Sequence, residues 1–399
     1  KEIEEITVTA NFRDVNLLET ASSVTVISED SINQRQAKHL EQLLYVAPNI
    51  NFASGASRGR FIQIRGIGER SQFVEPLNPS VGIIIDGIDF TGIAGAATTM
   101  DIDQVELLRG PQGTLFGANA LAGLINLKSK NPTEVNEGNV SVTLGNYNSH
   151  TLSGALSGPL SSSANYRVAI QNHTSDGYIT NEFLSRDDTD NIDEITMRSA
   201  IDWQIREDVS AKFTLFYVDI DNGYDAFSLD NTRRTLSDNP GHDRQKSSAL
   251  ALETKWKKND QFDIVSLVSF VDSDLEYGYD EDWSFPAICA GQDCDGWEYN
   301  SEDNYLRDRQ NRTIDLRLVS KEPAVFLGKP TDWVVGIYAR EQDEKLLREY
   351  TYNTGDFFSD FDTYNQAIYT ELNIATSNNL SVITGLRFES RRARYTDNQ

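Results

Sequence analysis

Residues Arg109–Lys130, which read RGPQGTLFGANALAGLINLKSK, are the stretch that decides the fold. The first part, GPQGTLFG at 110–117, has three glycines and a proline in eight residues, a composition typical of turns rather than of helix or strand interiors. The second part, LAGLINL at 121–127, is a strand-like apolar run that ends at Lys128 and Lys130. The stretch therefore predicts a glycine-rich turn that leads into a short apolar strand.

A glycine-rich turn before an apolar run can also bind phosphate. Here no Gly-Lys-Ser/Thr follows the glycines, so the sequence lacks the lysine and the magnesium-binding hydroxyl of a P-loop. The segment GIGERS at 66–71 lacks the third glycine of a dinucleotide-binding fingerprint. Nucleotide binding is therefore not favoured.

The glycine-rich stretch resembles the end of the plug domain of TonB-dependent outer-membrane receptors. The N-terminal EEITVTA (4–10) resembles the short segment that pairs as a strand with the inner-membrane energy transducer of that family. Other segments with a family counterpart follow in the family's order: SSVTVIS (22–28), a helix, IQIRGIG (62–68), VGIIIDGI (81–88) and DIDQVELLRGP (101–111). Each signal is weak alone, but their common order over about 130 residues identifies the chain as a member of this family.

The resemblance implies an all-β membrane barrel with an N-terminal α+β plug domain. We expect a flexible transducer-interaction tail (the TonB box) at 1–16, the plug at 17–134 and the N-terminal part of the transmembrane β-barrel at 135–399. Receptors of this family have roughly 22 antiparallel strands. About eleven strands can be counted between Asn139 and Tyr395, and bacterial single-chain barrels close with an even number. The native protein is therefore expected to continue past Gln399.

Two local patterns predict structure inside the plug. Ile32, Leu40, Leu43 and Leu44 fall on one helix face, so the segment 30–46 predicts a single helix that Pro48 ends. The segments IQIRGIG and VGIIIDGI are almost continuously apolar, as expected of a small sheet buried on both sides. The dipeptide Asp86–Gly87 predicts a hairpin turn.

Beyond residue 137 the pattern changes to long strands with a period of two. In EITMRSAIDWQI (194–205) polar residues such as Thr196 and Arg198 alternate with an apolar set: Ile195, Met197, Ile201, Trp203 and Ile205. One apolar and one charged face suit a barrel with lipid outside and water inside. Short turns at 158–165, 206–209, 259–261 and 378–381 alternate with long polar loops at about 175–193, 221–245, 276–310 and 348–364, which is the layout of outer-membrane barrels.

The composition limits the possible partners. The chain has 36 basic and 61 acidic residues and a formal net charge of −25, which argues against nucleic acid. The acidic balance fits water-exposed loops, or equally a generally acidic proteome. No apolar run approaches about 18 residues, so no transmembrane helix is predicted. A signal peptide is not recognisable at Lys1 and is expected to have been removed on export to the bacterial outer membrane.

The transducer-binding prediction concerns the N-terminal segment Glu5, Ile6, Thr7, Val8 and Thr9. Its β-branched residues can add an edge strand to a partner sheet. The resemblance makes that partner the inner-membrane transducer TonB, driven by its proton-powered complex. A disordered terminus with chance β-propensity is the alternative.

Other site predictions concern the plug and one barrel loop. In the family, arginines such as Arg65 and Arg109 lie between plug and barrel wall and pair with barrel carboxylates, so both are predicted latches. Basic groups on outward plug loops attract anionic ligands such as ferric chelates, and exposed aromatic rings can stack on chelators or sugars. Candidate substrate-binding residues are therefore Arg58, Arg60, Arg70, Phe73, Trp283, Phe285, Trp297 and Tyr299. Ordinary solvated loop charge is the alternative for the arginines.

Cysteine and carboxylate patterns predict little chemistry. Cys289 and Cys294, in CAGQDC, are expected to form a local disulfide in an oxidising compartment, with two free thiols as the alternative. The acidic residues around them lack EF-hand spacing, so a calcium site is not favoured. The four histidines show neither metal-ligand spacing nor a paired nucleophile, and no GxSxG motif occurs. No catalytic residue and no cofactor are predicted.

The predicted function is energy-coupled import of a scarce, bulky nutrient across the outer membrane by a monomeric receptor, most simply of a ferric siderophore. Cobalamin or an oligosaccharide are alternatives within the family. A passive porin is disfavoured by an N-terminal plug of about 130 residues, which porins lack. A signalling receptor would carry an additional domain before residue 4, and a soluble β-sandwich would not segregate its loops by length.

Overall fold

The computed structural model describes residues 7–8, 12, 15–54, 56–70, 79–258, 260–291, 293, 300–321, 324–326, 328–377 and 379–399. The described residues form an N-terminal α+β domain (15–129) and a large antiparallel sheet, here called the wall, that lies against it. The elements up to residue 129 are β1 (Thr7–Val8), β2 (Val15–Asn16), a 3-10 helix (Leu17–Glu19), β3 (Ser23–Ser28), α1 (Glu29–Arg35), α2 (Glu41–Leu44), β4 (Ile50–Ala53), β5 (Phe61–Ile64), β6 (Val81–Ile85), β7 (Ile88–Asp89), a 3-10 helix (Ala94–Ala96), β8 (Ile102–Arg109), α3 (Gly113–Phe116), a 3-10 helix (Gly117–Ala120) and β9 (Gly123–Ser129).

The N-terminal domain is built on a five-strand sheet with the order β3-β8-β9-β6-β7. Strands β6 and β9 are parallel, and the other neighbours are antiparallel. The run LAGLINL thus contributes the central strand β9, which is buried on both faces at Leu124 and Ile125. This agrees with the near-continuous apolar runs of the sequence.

The single helix predicted over 30–46 is wrong, because two short helices occupy this segment. Helix α1 begins after Ser28, whose Oγ accepts a hydrogen bond from the Ser31 amide, and it ends at Gln36 with a left-handed φ of 51°. The amides of Gln36 and Ala37 donate to carbonyls of the last turn of α1, which satisfies that helix end. The apolar pattern continues across this left-handed break, because Leu40, Leu43 and Leu44 are also buried. Periodicity alone therefore does not show that the helix ends at Gln36.

The Asp86–Gly87 hairpin turn is present between β6 and β7. Both residues have positive φ, 51° and 81°, as a two-residue type I′ turn requires. The Asp86 carboxylate accepts hydrogen bonds from the Ser129 amide and hydroxyl at 2.8 and 2.7 Å. The turn is therefore tied to the end of β9.

The wall begins at residue 137. Its elements and those of its connections are β10 (Glu137–Gly145), β11 (Ser149–Ser161), β12 (Ala164–Ser175), β13 (Thr180–Asn181), β14 (Ile192–Arg206), β15 (Val209–Tyr224), β16 (Arg234–Thr235), β17 (Gly241–Trp256), β18 (Phe262–Asp280), β19 (Glu302–Ser320), β20 (Val325–Phe326), β21 (Lys329–Tyr350), β22 (Phe357–Ser377) and β23 (Leu380–Asp397). Eleven long strands pair in chain order from β10 to β23, all antiparallel, which confirms the strand count. Within the described part of the chain, the short β20 pairs with β21, and β13 pairs with β16 between two connections.

The two faces of the wall have opposite polarity. Arg198 and Thr196 of β14 are buried against the N-terminal domain, whereas Ile195 and Trp203 on the other face are exposed. In β19, Asp315 is 5% exposed and the adjacent Ile314 is 54% exposed. The predicted alternation is confirmed in these two strands, whose apolar side chains point outward and whose polar side chains point toward the enclosed domain. In β15, by contrast, the inward Phe216 and Val218 are apolar and buried.

The loop prediction is only partly correct. Long connections do occupy 176–191, 225–240 and 281–301, opposite the short turns. The fourth predicted loop, 348–364, is wrong, because β21 runs to Tyr350 and β22 begins at Phe357. Charged and exposed residues such as Asp360 and Asp362 lie within β22, so polarity does not mark a loop. No helix in the described part of the chain is both long and apolar enough to span a membrane.

The N-terminal domain and the wall share one hydrophobic core. Ile85, Ile88 and Phe90 belong to the same buried cluster as Phe216 and Val218 of β15. The rings of Phe90 and Phe216 meet edge to face, with centroids 5.2 Å apart. The apolar contact positions the domain against the wall.

Candidate functional site: an arginine-lined chamber

A chamber of about 710 Å³ lies between the N-terminal domain and strands β18 to β23 of the wall. Its charged lining consists of six arginines and two glutamates: Arg60, Arg307, Arg309, Arg340, Arg348, Arg391, Glu69 and Glu344. The lining thus has a formal charge of +4 within a chain of −25. Such a concave, locally cationic surface is suited to an anionic ligand.

The outer part of the chamber combines arginines with tyrosines. Tyr277 and Tyr305 lie near the ends of β18 and β19, where the long 281–301 connection joins them. The guanidinium carbons of Arg307 and Arg348 lie 5.4 and 5.1 Å from the centroid of the Tyr305 ring. Arg348 also donates to both oxygens of Asp303 at 2.8 Å. These contacts pre-orient the cationic groups before any ligand arrives.

Residues 57–60 join the N-terminal domain to the long-connection end of the wall. Arg58 is buried and pairs with Glu194 of β14 at 2.6 Å and with Glu41 of α2 at 3.2 Å. Burial alone would lower the pKa of Arg58, but the two carboxylates raise it above its usual value. Arg60 pairs with Asp243 of β17. We call Arg58–Glu194 and Arg60–Asp243 the outer pairs.

Three further pairs have the opposite polarity, with the carboxylate on the N-terminal domain. Asp101 accepts two hydrogen bonds from Arg167 at 2.6 and 2.7 Å. Asp89 pairs with Arg340 at 3.0 Å, and Asp86 lies 3.7 Å from Arg198. We call these the inner pairs, because their arginines lie mid-strand or near a short turn. Sliding the domain along the wall would bring like charges together, so the two sets define its position.

The predicted latch arginines lie elsewhere. Arg65 is exposed, with a left-handed φ of 55°, and its Nη1 lies 3.5 Å from the position a Cβ would take at Gly110. Arg109 donates to the Pro48 carbonyl at 3.2 Å. Within the described residues neither makes an ion pair with a carboxylate. Their pairing with the wall stays a prediction.

The structure separates the predicted substrate-binding residues. Arg60 lines the chamber, Arg58 lies in the buried outer pair, and Arg70 is exposed. Trp283 stacks on Phe227 with ring centroids 4.9 Å apart, and Phe285 stacks on Phe183 at 4.4 Å. These two rings therefore join the long connections to one another. Phe73, Trp297 and Tyr299 lie outside the described residues.

The chamber arginines of the wall were missed by the sequence reasoning. Arg309 and Arg340 lie on strands at inward positions, where a charged residue is the normal occupant of a period-two pattern. The clustering of several arginines at neighbouring inward positions was the available signal. Their convergence on the chamber, however, depends on strand register, which the sequence pattern does not state.

The cysteines and the acidic clusters add little to the candidate site. Cys289 is buried, and its predicted partner Cys294 lies outside the described residues, so the disulfide stays a prediction. Among the described residues no group of three or more His, Cys, Asp or Glu side chains is arranged to hold a metal ion.

The N-terminal segment pairs with the chain itself. Thr7 and Val8 form β1, which is antiparallel to β2. Val8 is fully buried and packs with Leu108, Ala120 and Leu124. The Thr7 carbonyl accepts a hydrogen bond from Gln104 at 3.1 Å. Glu5, Ile6 and Thr9 lie outside the described residues.

Comparison with known proteins gives a consistent result. Residues 16–124 match the TonB-dependent Receptor Plug Domain family. The chain is 24% identical over 389 residues to the pesticin receptor of Yersinia enterocolitica, which covers 92% of this chain and 52% of that receptor. It is also 33% identical over 148 residues to the vitamin B12 transporter of Vibrio vulnificus, covering 36% of this chain and 23% of that protein. The chain thus spans about half the length of the pesticin receptor it matches.

Two solved structures share the fold. The ferric yersiniabactin uptake receptor from Yersinia pestis superposes with a TM-score of 0.77 at 19% identity, over 94% of this chain and 60% of that one. The ferripyoverdine receptor of the outer membrane of Pseudomonas aeruginosa gives a TM-score of 0.77 at 16% identity, over 98% and 54%. At these identities the likeness establishes an N-terminal plug enclosed by barrel strands.

Proposed function

Since the chain belongs to the TonB-dependent outer-membrane receptors, we propose that it imports an anionic ferric siderophore across the outer membrane with energy from the inner membrane. The arginine-lined chamber carries this proposal. It lies between plug and barrel on the side of the long connections, and its lining is cationic in an otherwise acidic chain. Ferric tris-catecholate complexes carry negative charge that such a lining would attract.

Relatives support the ligand class. The similar proteins include receptors described for ferric yersiniabactin and ferripyoverdine, together with a vitamin B12 transporter. A corrinoid is the second candidate because of the B12 transporter, but that similarity covers only 36% of the chain. The arginines favour the siderophore.

Energy coupling is proposed to act through β1, in a monomeric receptor that binds the transducer TonB. In its docked form Val8 is buried against the plug, so β1 must leave β2 before its backbone can pair with a partner strand. Pulling on this segment would then act on the adjacent β8 and β9, because Val8 packs on Leu108 and Leu124. A passive channel fits less well, since the plug core is packed directly onto β15, β17 and β18.

The test is uptake by cells that lack their own siderophore receptors and express the full-length receptor. Radiolabelled ferric tris-catecholate, ferric hydroxamate and vitamin B12 are offered in parallel. We expect uptake of a ferric chelate. We expect Val8→Pro to abolish uptake while ligand binding persists, because proline removes from β1 a backbone N–H that would pair with the partner strand.

Val8→Ile is the matched control, because it keeps the β-branched side chain and the backbone N–H. It should transport like the wild type. Uptake that survives Val8→Pro would contradict coupling through β1. Uptake of vitamin B12 without any ferric chelate would replace the siderophore by a corrinoid.

A further inference from the structure

Residues 57–60 are held by both the plug and the barrel. On the plug side, Glu41 accepts hydrogen bonds from the Arg58 guanidinium and the Gly59 amide. On the barrel side, Asp243 accepts from the Ser57 amide and hydroxyl at 2.9 and 2.6 Å. Glu194 binds Arg58, and the Asn222 amide group donates to both Glu194 and Ser57 at 2.9 Å. Any change at this segment therefore alters the plug–barrel contact.

Arg60 belongs to this contact and to the chamber at once. It pairs with Asp243, it lines the chamber, and its side chain is 14% exposed. Its Nε is buried and has no hydrogen-bond partner within the described part of the chain, so one donor is unused. Its guanidinium carbon lies 5.7 Å from the centroid of the Tyr277 ring. Burial and the nearby Arg307 lower the pKa of Arg60 to about 10, which still leaves it charged at neutral pH.

We propose that Arg60 couples ligand binding to the plug: an anionic ligand in the chamber competes with Asp243 for the Arg60 guanidinium and thereby weakens the attachment of residues 57–60 to the barrel. The exchange replaces one buried anion by another, so Arg60 never loses a counter-charge. Asp243 retains the two Ser57 donors. Two inner pairs, Asp101–Arg167 and Asp86–Arg198, lie outside the chamber lining and remain intact, so part of the plug attachment is unaffected. This inference rests on the proposed function, because it requires an anionic ligand.

Competition between Asp243 and the ligand predicts how substitutions at Arg60 and Asp243 change the Kd of the ligand. For a ferric tris-catecholate binding to the full-length receptor, Arg60→Gln should raise Kd about tenfold, by loss of a charge-assisted contact. Asp243→Asn should lower Kd about threefold or more, because it removes the competitor. The double variant should bind like Arg60→Gln alone, because Asp243 acts through Arg60. Arg60→Lys should recover part of the affinity.

If Arg60 and Asp243 had only a structural role, Asp243→Asn would raise Kd instead of lowering it. In that case Asp243→Asn weakens binding as Arg60→Gln does, and the inference is overturned. Ligand binding by the wild type would still leave the proposed function in place. The amide oxygen that Asp243→Asn introduces can still accept the Ser57 hydrogen bonds, which favours a folded receptor. A wild type that binds no anionic ferric chelate overturns the proposed function and this inference with it.

The barrel provides a matched control for the second part of the inference. Asp303 pairs with Arg348, another chamber arginine, but both residues belong to the barrel. Asp303→Asn should also tighten binding, yet it should not change amide hydrogen exchange of residues 57–64. Asp243→Asn, or a bound chelate, should speed that exchange about tenfold, since it removes a tie between this segment and the barrel. Unchanged exchange with the chelate bound would refute the coupling.

Discussion

At the scale of single residues, the plug is attached by buried charge pairs of both polarities. Arg167 and Asp101 are 6% and 7% exposed and meet through two parallel hydrogen bonds. Removing one partner of such a pair leaves an uncompensated buried charge, which costs far more than the pair itself contributes. The attachment is therefore sensitive to single substitutions although each intact pair adds little net stability.

Arg167→Ala is expected to destabilise the docked plug by about 3 kcal/mol, because it leaves Asp101 buried without its cation. The measurement is made on the detergent-solubilised receptor in increasing concentrations of guanidinium chloride. The midpoint is the concentration at which half of the plug has become accessible to protease. Arg186→Ala is the control, since its pair with Asp188 is half exposed within one connection; it should change stability by less than about 0.5 kcal/mol. Equal midpoints for the two variants would contradict the expectation.

At the scale of elements, the long connections form a packed layer rather than separate loops. Asn181 donates to Asp225 at 2.9 Å and to the Ser237 carbonyl at 2.8 Å, which joins 176–191 to 225–240. The Phe183–Phe285 stack adds the 281–291 segment. Aromatic rings that the sequence marks as free for ligand thus have partners, so their first role is to order this layer.

Asp190 makes that layer sensitive to pH. Burial raises the pKa of the Asp190 carboxyl to about 6, with the Asp225 carboxylate adding to the rise. A carboxyl whose folded pKa exceeds its unfolded pKa favours the folded form at low pH, and this contribution is lost as pH rises through about 6. Limited proteolysis of 176–191 should therefore be slower at about pH 5 than at about pH 8.

The variant Asp190→Asn should remove most of this pH dependence, because its side chain does not titrate. Asp188→Asn, at an exposed position of the same connection, should leave the dependence in place. Identical pH profiles for the wild type and Asp190→Asn would assign the effect to another group.

At the scale of the whole molecule, plug and barrel share a common hydrophobic core. Phe216 of β15 is 2% exposed, contacts Phe90 edge to face, and lies 4.7 Å from the Arg198 guanidinium carbon. The same strands present apolar side chains outward, so a strand residue stabilises either the plug contact or the lipid-facing surface, according to its parity.

Phe216→Ala is expected to weaken plug docking by about 3 kcal/mol or more, because it opens a cavity in the shared core. Phe270→Ala is the matched control: this ring lies on the outward face of β18 and is 37% exposed. The measurement is the temperature at which the plug becomes accessible to protease, compared between the two variants in detergent. A lower temperature for Phe216→Ala than for Phe270→Ala would distinguish the two faces of the wall. A larger loss of docking in Phe270→Ala would contradict the assignment of faces.

Patterns that repeat within a few residues were predictable from the sequence. The period-two alternation in 194–205 correctly indicated which side chains face the plug, and the Asp86–Gly87 dipeptide correctly indicated a hairpin. The glycine-rich turn and the segments before it indicated the plug. Each of these depends on local backbone geometry, which neighbouring residues determine.

Local patterns failed where a single residue or an enclosed surface changed the outcome. Gln36 ends α1 in a left-handed conformation although the apolar face continues to Leu44. Many polar residues of 348–364 belong to strands: Ser359 and Thr363 face the chamber, and Asp360 and Asp362 are exposed on the opposite face of β22. Polarity in the sequence indicates contact with water but does not distinguish an enclosed polar space from a loop.

The sequence by itself determined the order of the elements, the number of long strands and the direction of their two faces, since these follow from periodicity and turn chemistry. Only the tertiary structure decided which charges meet. Asp89 and Arg340 are separated by about 250 residues of chain, and Arg60 reaches both Asp243 and the chamber only because strand register brings them together. Coulomb attraction between side chains depends on distance in space and on burial, neither of which is written in the spacing of residues along the chain.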